Sequence, residues 1–411
     1  MRLCAKSLAG RLTAVLLGGV LTLIGLQPAT ASDHFDSPAM TANPQADIAD
    51  VYAWTSPDGQ RLNLVMTIVG HSFSDRLAYA LHIDSGKAFG RTTASTTIVC
   101  RFAEPRLADC AIAGVDRARG DATDPAGLEG QNHRLRVFAG LRDDPFYNNI
   151  KGSLAAYGAA AAAIKNGAAV DAAGCPAFDH AAVGEIASQW RHTDGGAPAN
   201  FLGNWTVSAI VVSLDLSVAT KGGNLLAVWG AVSSGQRQLD RMARPFVGNT
   251  LLGSAPFSTD EASGAERERF NGANPEIGAP FVARIEKSLA LHDGLDGQCG
   301  NQLLAAEGAD PSTRYRQLAR VFVDDRLWVN SASHVCTQFF AVELASLDGR
   351  KAASLDCGGR SPVYDTPNVW RSLLVDGATD SVTDGLDDDE HPPSAEAFPF
   401  LAPPDPHGVD H

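Results

Sequence analysis

The sequence predicts a mainly β fold with α additions (an α+β chain), in which an antiparallel, β-sandwich-like core carries helical insertions and long loops. Three observations lead to this prediction. Short runs of strand-forming residues recur through the first part of the chain, turn residues separate them, and alanine-rich helical patterns enter only later. Short strands at regular spacing with turn signals between them are typical of sandwiches and barrels.

The first two strands are predicted to form a hairpin. Residues 48–54 are a short apolar-rich run, and residues 62–69 follow with strand-forming side chains. Between them, Pro57 and Gly59 occupy the second and fourth positions of a Ser-Pro-Asp-Gly sequence, where a type I turn prefers these residue types. Two such runs joined by a tight turn are expected to pair antiparallel.

Further strands are predicted from alternation and residue type. Residues 77–83 alternate clearly and place Leu77, Tyr79 and Leu81 on one face. The other runs with a strand pattern are residues 92–102, 135–139, 206–214 and 225–232.

Helices are predicted in the middle and later parts of the chain. The helical patterns cover residues 154–164, 178–190, 280–291 and 313–323. Thr366 offers an N-cap and Pro367 a first helical residue, so residues 368–375 should form a short helix with Gly377 just beyond its end.

The first 31 residues are predicted to be a cleavable secretory signal peptide. Three basic residues precede the apolar run 12–26, and an Ala-Thr-Ala sequence ending at Ala31 follows it. The apolar run is shorter than the roughly 20 residues that a membrane-spanning helix needs. We therefore expect cleavage after Ala31, a periplasmic or secreted protein, and no transmembrane segment in the mature chain.

The remainder, residues 32–411, is predicted to be a single large exported domain. A β-rich lobe is expected to cover about residues 32–235, and a mixed α/β part about residues 236–411, because the strand pattern becomes irregular near that point.

The charge of the chain limits its partners. The net charge is −14, and it becomes more negative once the basic leader is removed. Such a protein repels nucleic acid and anionic lipid and favours cations. We therefore expect no nucleic-acid partner, while a small ligand or a cell-envelope protein remains compatible with the sequence.

Six of the seven cysteines lie beyond the leader, and an even number in an oxidising compartment favours disulfides. Cys100 and Cys110 are expected to pair, since they flank a loop between two strand-like runs. The other pairings stay open. The chain has no C-x-x-C sequence, which argues against a thioredoxin-like redox centre and a c-type haem.

Two groups of carboxylates are candidate metal ligands. The first combines His34, Asp36 and Asp50 near the expected mature N-terminus. Carboxylates suit hard cations, and an added histidine moves the preference toward transition metals. The alternative is a capped, hydrogen-bonded segment tied onto the sheet.

The second group is Arg142, Asp143 and Asp144, directly after the predicted strand 135–139. An arginine with two aspartates at a strand end can hold a metal or orient a polar ligand. The same residues can equally form an ion-pair turn in which aspartate caps backbone N–H groups.

The C-terminal region is acidic, then rich in proline and aromatic residues. Residues 384–391 resemble a calcium-binding tract by composition but lack the spacing of an EF-hand loop. We therefore expect a solvated acidic loop there. The two phenylalanines within residues 398–404 suggest that this last segment packs on the body of the protein.

Six segments together resemble the markers of a bacterial protein family, domain-of-unknown-function family 4331. These segments are residues 32–38, 47–54, 137–146, 241–245, 358–361 and 398–404. The resemblance implies an exported protein with the fold of that family, and it implies no activity.

Three functions fit these observations. The first is a non-catalytic periplasmic or secreted binding protein for a metal ion or small polar ligand, with a divalent metal as the expected cofactor type. The second is a metal-assisted hydrolase using the same residues, and the third is a structural cell-envelope interaction module. No motif names a catalytic residue. The expected metal ligands are His34, Asp36, Asp50, Asp143 and Asp144, with Arg142 orienting the ligand.

Overall fold

A computed structural model describes residues 36–305 and 309–405 of the chain. The predicted signal peptide and His34 lie outside the described residues. Among the helices that are described, none combines the length and the hydropathy that crossing a membrane requires.

The strands are named here in chain order. They are β1 (Ile48–Thr55), β2 (Arg61–Ile68), β3 (Ala78–Gly86), β4 (Ala94–Glu104), β5 (Leu107–Ile112), β6 (Asp116–Asp121), β7 (Leu128–Glu129), β8 (Leu135–Asp143), β9 (Ala169–Val170), β10 (Pro176–Ala177), β11 (Thr206–Asp215), β12 (Leu225–Ser234), β13 (Arg237–Met242) and β14 (Leu327–Asn330).

The helices follow the same convention. They are α1 (Pro38–Thr41), α2 (Ile150–Lys165), α3 (His180–Trp190), α4 (Leu216–Ala219), α5 (Glu261–Asn271), α6 (Val282–Asp293), α7 (Arg316–Val323), α8 (Ala341–Leu347) and α9 (Thr366–Val375). Short 3-10 turns lie at Ala279–Phe281, Gly294–Asp296 and Ala353–Leu355, and a π-helical turn at Val247–Leu251.

Two large antiparallel sheets dominate the structure. The five-stranded sheet has the order β1-β2-β11-β8-β7. The seven-stranded sheet has the order β13-β12-β3-β4-β5-β6, and β14 also pairs with β12. Strands β9 and β10 form a separate small ladder. Antiparallel sheets combined with several helices confirm the predicted α+β, sandwich-like fold.

The predicted N-terminal hairpin is present. Strands β1 and β2 pair antiparallel, with Val51 opposite Met66. The connecting turn closes where the Gly59 N–H donates to the Ser56 carbonyl at 2.8 Å. Gly59 has a φ of +66°, a conformation that glycine adopts without steric cost.

The two large sheets approach each other closely at Gly230 on β12. A Cβ atom at this position would lie 3.0 Å from both Met66 Sδ and Val51 Cγ2 of the facing sheet. Any larger residue there would require the Met66 and Val51 side chains to shift. Leu81 and Ile98 lie in the same buried cluster, so the main core fills the space between the sheets.

The C-terminal segment, residues 384–405, covers the other face of the five-stranded sheet. The Phe400 ring packs on Trp54 with centroids 4.8 Å apart, and Leu401 joins the same buried cluster. The Trp54 indole donates to the Ala395 carbonyl at 2.9 Å. Because both faces of β1 are covered, every residue of this strand is buried. This confirms that the aromatic closing residues pack on the body.

Helix α9 begins one residue earlier than the sequence suggests. The Asp365 carboxylate accepts a hydrogen bond from the Asn368 N–H at 3.1 Å, so Asp365 is the N-cap. Thr366 is therefore the first helical residue. An aspartate competes well with threonine for this position because its carboxylate also favours the positive end of the helix dipole. Gly377, with a φ of +77°, lies just past the helix end as predicted.

Three disulfides join the six cysteines that the structure describes. They are Cys100–Cys110, Cys175–Cys299 and Cys336–Cys357. Cys100 and Cys110 lie directly opposite each other on β4 and β5, which confirms the one pairing that was predicted.

One continuous cluster of buried apolar side chains contains both Leu81 and Leu374. The core therefore extends across the boundary near residue 235 that was expected between the two lobes. The single-domain assignment stays a prediction, and this continuity is consistent with it.

Candidate metal centre

The candidate site lies where β8 ends against the C-terminal segment. Asp143 is the last residue of β8 and pairs with Thr206 of β11. Its N–H donates to the Ala402 carbonyl at 3.1 Å, and the N–H of Asp144 donates to the Trp205 carbonyl at 2.9 Å. The backbone that carries Asp143 is thus fixed on two sides.

Three side chains converge at this point, and we call them the Asp143 cluster: Asp143, Asp389 and His391. One possible ligand atom from each lies within 4.8 Å of the others. Asp143 Oδ1 lies 3.3 Å from His391 Nδ1. Within residues 36–305 and 309–405, neither of these two buried atoms has a hydrogen-bond partner.

The distance between these two atoms matches a shared metal ion. Zinc binds imidazole nitrogen and carboxylate oxygen at about 2.0–2.2 Å, so two such donors on one tetrahedral ion lie about 3.3–3.5 Å apart. The imidazole and the carboxylate of the Asp143 cluster therefore stand at the separation that common coordination would give them.

Ionising the Asp143 and Asp389 carboxyl groups together is unfavourable. Burial raises the pKa of Asp389 to about 8, and the neighbouring charge of Asp143 adds to this effect. Burial likewise raises the pKa of Asp143 to about 6, although its hydrogen bond with Asp389 acts in the opposite direction. A hydrogen bond between two carboxyl groups needs a proton on one of them. A bound cation would allow both groups to be charged.

Asp389 is held in place by a loop more than 180 residues away along the chain. The Asn200 amide donates to Asp389 Oδ1 at 3.0 Å and to Glu390 Oε2 at 2.8 Å. The N–H of His391 donates to Asp389 Oδ2 at 3.1 Å. Asn200 is itself oriented because its side-chain oxygen accepts a hydrogen bond from the Asn148 N–H.

The site is open to solvent on the imidazole side. The His391 side chain is 37% exposed, whereas that of Asp143 is only 3% exposed. The other ring nitrogen, Nε2, lies 4.0 Å from Asp405 Oδ2. Metal-binding histidines commonly direct their second nitrogen toward a carboxylate, which orients the ring.

Asp50 and Asp144 lie deeper in the protein, next to a buried arginine. Asp50 forms an ion pair with Arg360, and both side chains are almost completely buried. Arg360 also stacks over the Tyr52 ring, 4.1 Å from its centroid. Burial, reinforced by the charge of Asp50, raises the pKa of Asp144 well above its usual range. The structure thus brings Asp50 and Asp144 into one electrostatic network, with Arg360 as the counterion of Asp50.

Arg142 and Asp36 point elsewhere. Successive residues of a strand face opposite sides of the sheet, so Arg142 faces away from Asp143. Its guanidinium lies 4.0 Å from the centre of the Phe138 ring. Asp36 accepts a hydrogen bond from the Asn271 amide of α5 at 2.9 Å. The structure does not bring either side chain to the Asp143 cluster, and their ligand roles stay predictions. His34 lies outside the described residues.

The sequence does not identify Asp389 and His391 as candidate ligands, because it predicts a solvated acidic loop over residues 384–391. That expectation is wrong for two of the aspartates. Asp389 is buried, and Asp384 is buried against Arg371, 3.1 Å from its guanidinium. The aromatic residues that follow were a signal that this acidic tract could be buried. A C-terminal segment that packs on the body of the protein also places the residues before it against the body.

A second group with metal-ligand spacing is already satisfied. Cys175, Cys299 and Asp293 lie close together, but the two sulfur atoms are joined in a disulfide. The Asp293 carboxylate accepts hydrogen bonds from the Gly300 N–H and the Tyr315 hydroxyl, both at 2.6 Å. This group is structural.

Comparison with known proteins gives no relative. No family matches the chain, and no curated protein or solved structure is significantly similar to it. The resemblance to family 4331 stays a prediction, and the chemistry of the site rests on its own geometry.

Proposed function

We propose that this protein is an exported, non-catalytic binding protein for a divalent transition-metal cation, held by Asp143, Asp389 and His391. The observation that carries the proposal is the facing pair of Asp143 Oδ1 and His391 Nδ1, which lie 3.3 Å apart in an ion pair and form no hydrogen bond among the described residues. Buried polar groups are normally hydrogen-bonded, so a close pair that lacks a hydrogen bond is a candidate for a bound ion.

The ligand types favour zinc or a similar ion over calcium. One imidazole nitrogen and two carboxylates suit zinc and its transition-metal neighbours. Calcium takes six to eight oxygen ligands and does not favour imidazole. Asp405, near Nε2 of His391, would orient the imidazole that coordinates the metal.

Two independent features support the proposal of export. The sequence predicts a signal peptide ahead of the mature chain, and the six later cysteines form three disulfides. Disulfides persist in oxidising compartments outside the cytoplasm. We propose a periplasmic or secreted location on these grounds.

A structural role for the Asp143 cluster is the alternative. In that case a shared proton, and no metal, would join Asp143 to Asp389 and fasten the C-terminal segment to β8. The two possibilities differ in metal content, so they can be separated directly.

The test is calorimetric titration of zinc into metal-free protein that carries no histidine tag. We expect one equivalent to bind, with a raised melting temperature. Asp389→Asn should lose both effects because it removes one ligand charge, whereas Asp387→Asn, an exposed neighbour, should keep them. At a free metal concentration of 100 times the Kd, the stabilisation would be about 2.7 kcal/mol.

The control for folding is near-UV circular dichroism of each variant, with His391→Gln as a second ligand variant. Absence of zinc binding to the wild type, or unchanged binding by both ligand variants, would contradict the proposal. Zinc-dependent turnover of p-nitrophenyl acetate or phosphate would contradict its non-catalytic part.

A further inference from the structure

Two adjoining cavities lie between helix α7 and the turn that precedes β4. Their volumes are about 690 and 480 Å³. Both are lined by Gly90, Arg320 and Asp324, so they form one continuous depression, which we call the Arg320 cleft. It shares no lining residue with the Asp143 cluster.

The cleft is lined by four arginines although the protein is strongly acidic. Its charged lining residues are Arg91, Arg316, Arg320, Arg326, Glu276 and Asp324. Arg326 is neutralised by Asp324, through contacts of 2.6 and 2.9 Å, and it also lies 3.3 Å from Asp84 and 3.9 Å from Glu276. Arg316 is paired with Glu286 at 3.0 Å. The remaining positive charge belongs to two residues.

Those two residues are Arg91 and Arg320. In the part of the chain that the structure describes, neither guanidinium forms an ion pair or a hydrogen bond, and both side chains are exposed to the cleft's solvent. A guanidinium presents a planar set of N–H donors that matches carboxylate, sulfonate and phosphate groups. In a chain with net charge −14, two arginines without an ion pair in one concavity make it a place that attracts an anion.

The rest of the lining is largely apolar. The apolar lining residues are Phe89, Pro275, Ala279, Val282, Val321, Val323 and Leu347. Pockets for small ligands typically have volumes of about 300–1,000 Å³ and combine an apolar lining with a few polar groups. The Arg320 cleft has both properties.

We propose that the Arg320 cleft binds a small organic anion, with an acidic group held by Arg91 and Arg320 and an apolar body against Val282, Val323 and Phe89. This binding is independent of the metal proposed for the Asp143 cluster, since the two places have no residue in common.

The test uses the fluorescent probe 8-anilinonaphthalene-1-sulfonate, which joins a sulfonate to an aromatic body. We expect saturable binding of one equivalent to the purified full chain. The double variant Arg91→Gln, Arg320→Gln should bind the probe about tenfold more weakly, because it loses the charged hydrogen bonds to the sulfonate. Each single variant should give a smaller loss.

Two controls make the result specific. Arg101→Gln changes an exposed arginine on β4 that lines neither cavity, and it should bind the probe like the wild type. The neutral probe N-phenyl-1-naphthylamine should bind all variants equally. Wild-type affinity of the double variant for the sulfonate, or an equal loss for both probes, would overturn the proposal.

Discussion

Two histidines of this protein differ in what their ring nitrogens face. His292 is completely buried, with Nδ1 2.7 Å from the Ser288 carbonyl and Nε2 2.9 Å from the Tyr157 hydroxyl. Both nitrogens are therefore satisfied by the protein itself. His391 instead directs Nδ1 toward the Asp143 carboxylate, 3.3 Å away in an ion pair, and this nitrogen forms no hydrogen bond among the described residues. This contrast separates a core histidine from a candidate ligand.

The buried state of His292 predicts a loss of stability in acid. Burial lowers the pKa of His292 to about 4, while an unfolded histidine has a pKa near 6.5. As the pH falls from about 6.5 to 4, the unfolded chain takes up this proton and the folded protein does not, so stability is lost. Through this residue the wild type should lose about 2–3 kcal/mol of its free energy of unfolding between pH 7 and pH 4.5. The His292→Gln variant should not show this part of the loss.

Urea unfolding at the two pH values measures this difference. The exposed His180→Gln variant is the control and should behave like the wild type. An equal loss of stability in His292→Gln and wild type would show that this imidazole does not cause the acid sensitivity.

Among the secondary-structure elements, strand β1 is held in place by a loop that carries the buried Arg360. The N–H of Arg360 donates to the Ala53 carbonyl at 2.9 Å, and the N–H of Ala53 donates to the Arg360 carbonyl at 2.8 Å. The Arg360 side chain then forms the ion pair with Asp50. Gly358 and Gly359 both have a φ of +64°, which lets the loop turn back onto the strand.

Breaking this pair should be costly. Arg360→Gln breaks a buried ion pair by removing its cation, and such a change typically costs 3–5 kcal/mol, so we expect a loss of about that size. The control is Arg106→Gln, which removes an exposed pair with Asp121 and should cost less than about 1 kcal/mol. Chemical denaturation measures both. A loss for Arg360→Gln no larger than for the control would contradict the account.

Most elements were predictable because their signals are local. The hairpin of β1 and β2 follows from two apolar runs and the turn residues between them. The burial of Asp389 could not be predicted in this way, since it depends on Asn200 and Asp143, which are distant in sequence. For the same reason the sequence suggested Asp143 as a ligand but paired it with Asp36, whose contacts lie on α5.

Long-range links hold the whole molecule together. The Cys175–Cys299 disulfide joins residues 124 positions apart, whereas Cys100–Cys110 joins residues only 10 positions apart. The sequence predicted the short link from its flanking strands. It left the long one open, because six cysteines allow 15 different pairings.

The two disulfides should differ in their effect on stability. In the chain-entropy model the stabilisation grows with the loop that is closed, giving about 5 kcal/mol for Cys175–Cys299 and about 3 kcal/mol for Cys100–Cys110. We expect the double alanine variant of the first pair to lose about 2 kcal/mol more than that of the second. Equilibrium denaturation under oxidising conditions measures both losses. Equal losses, or a larger loss for the short link, would contradict this prediction.

The most direct test of the metal centre is X-ray absorption spectroscopy of the zinc-loaded protein. We expect a first shell of nitrogen and oxygen donors, with the outer-shell scattering of one imidazole. That imidazole signal should disappear in His391→Gln. A spectrum without imidazole scattering, or one that the His391→Gln change leaves unaltered, would contradict the assignment of Asp143, Asp389 and His391 as the metal ligands.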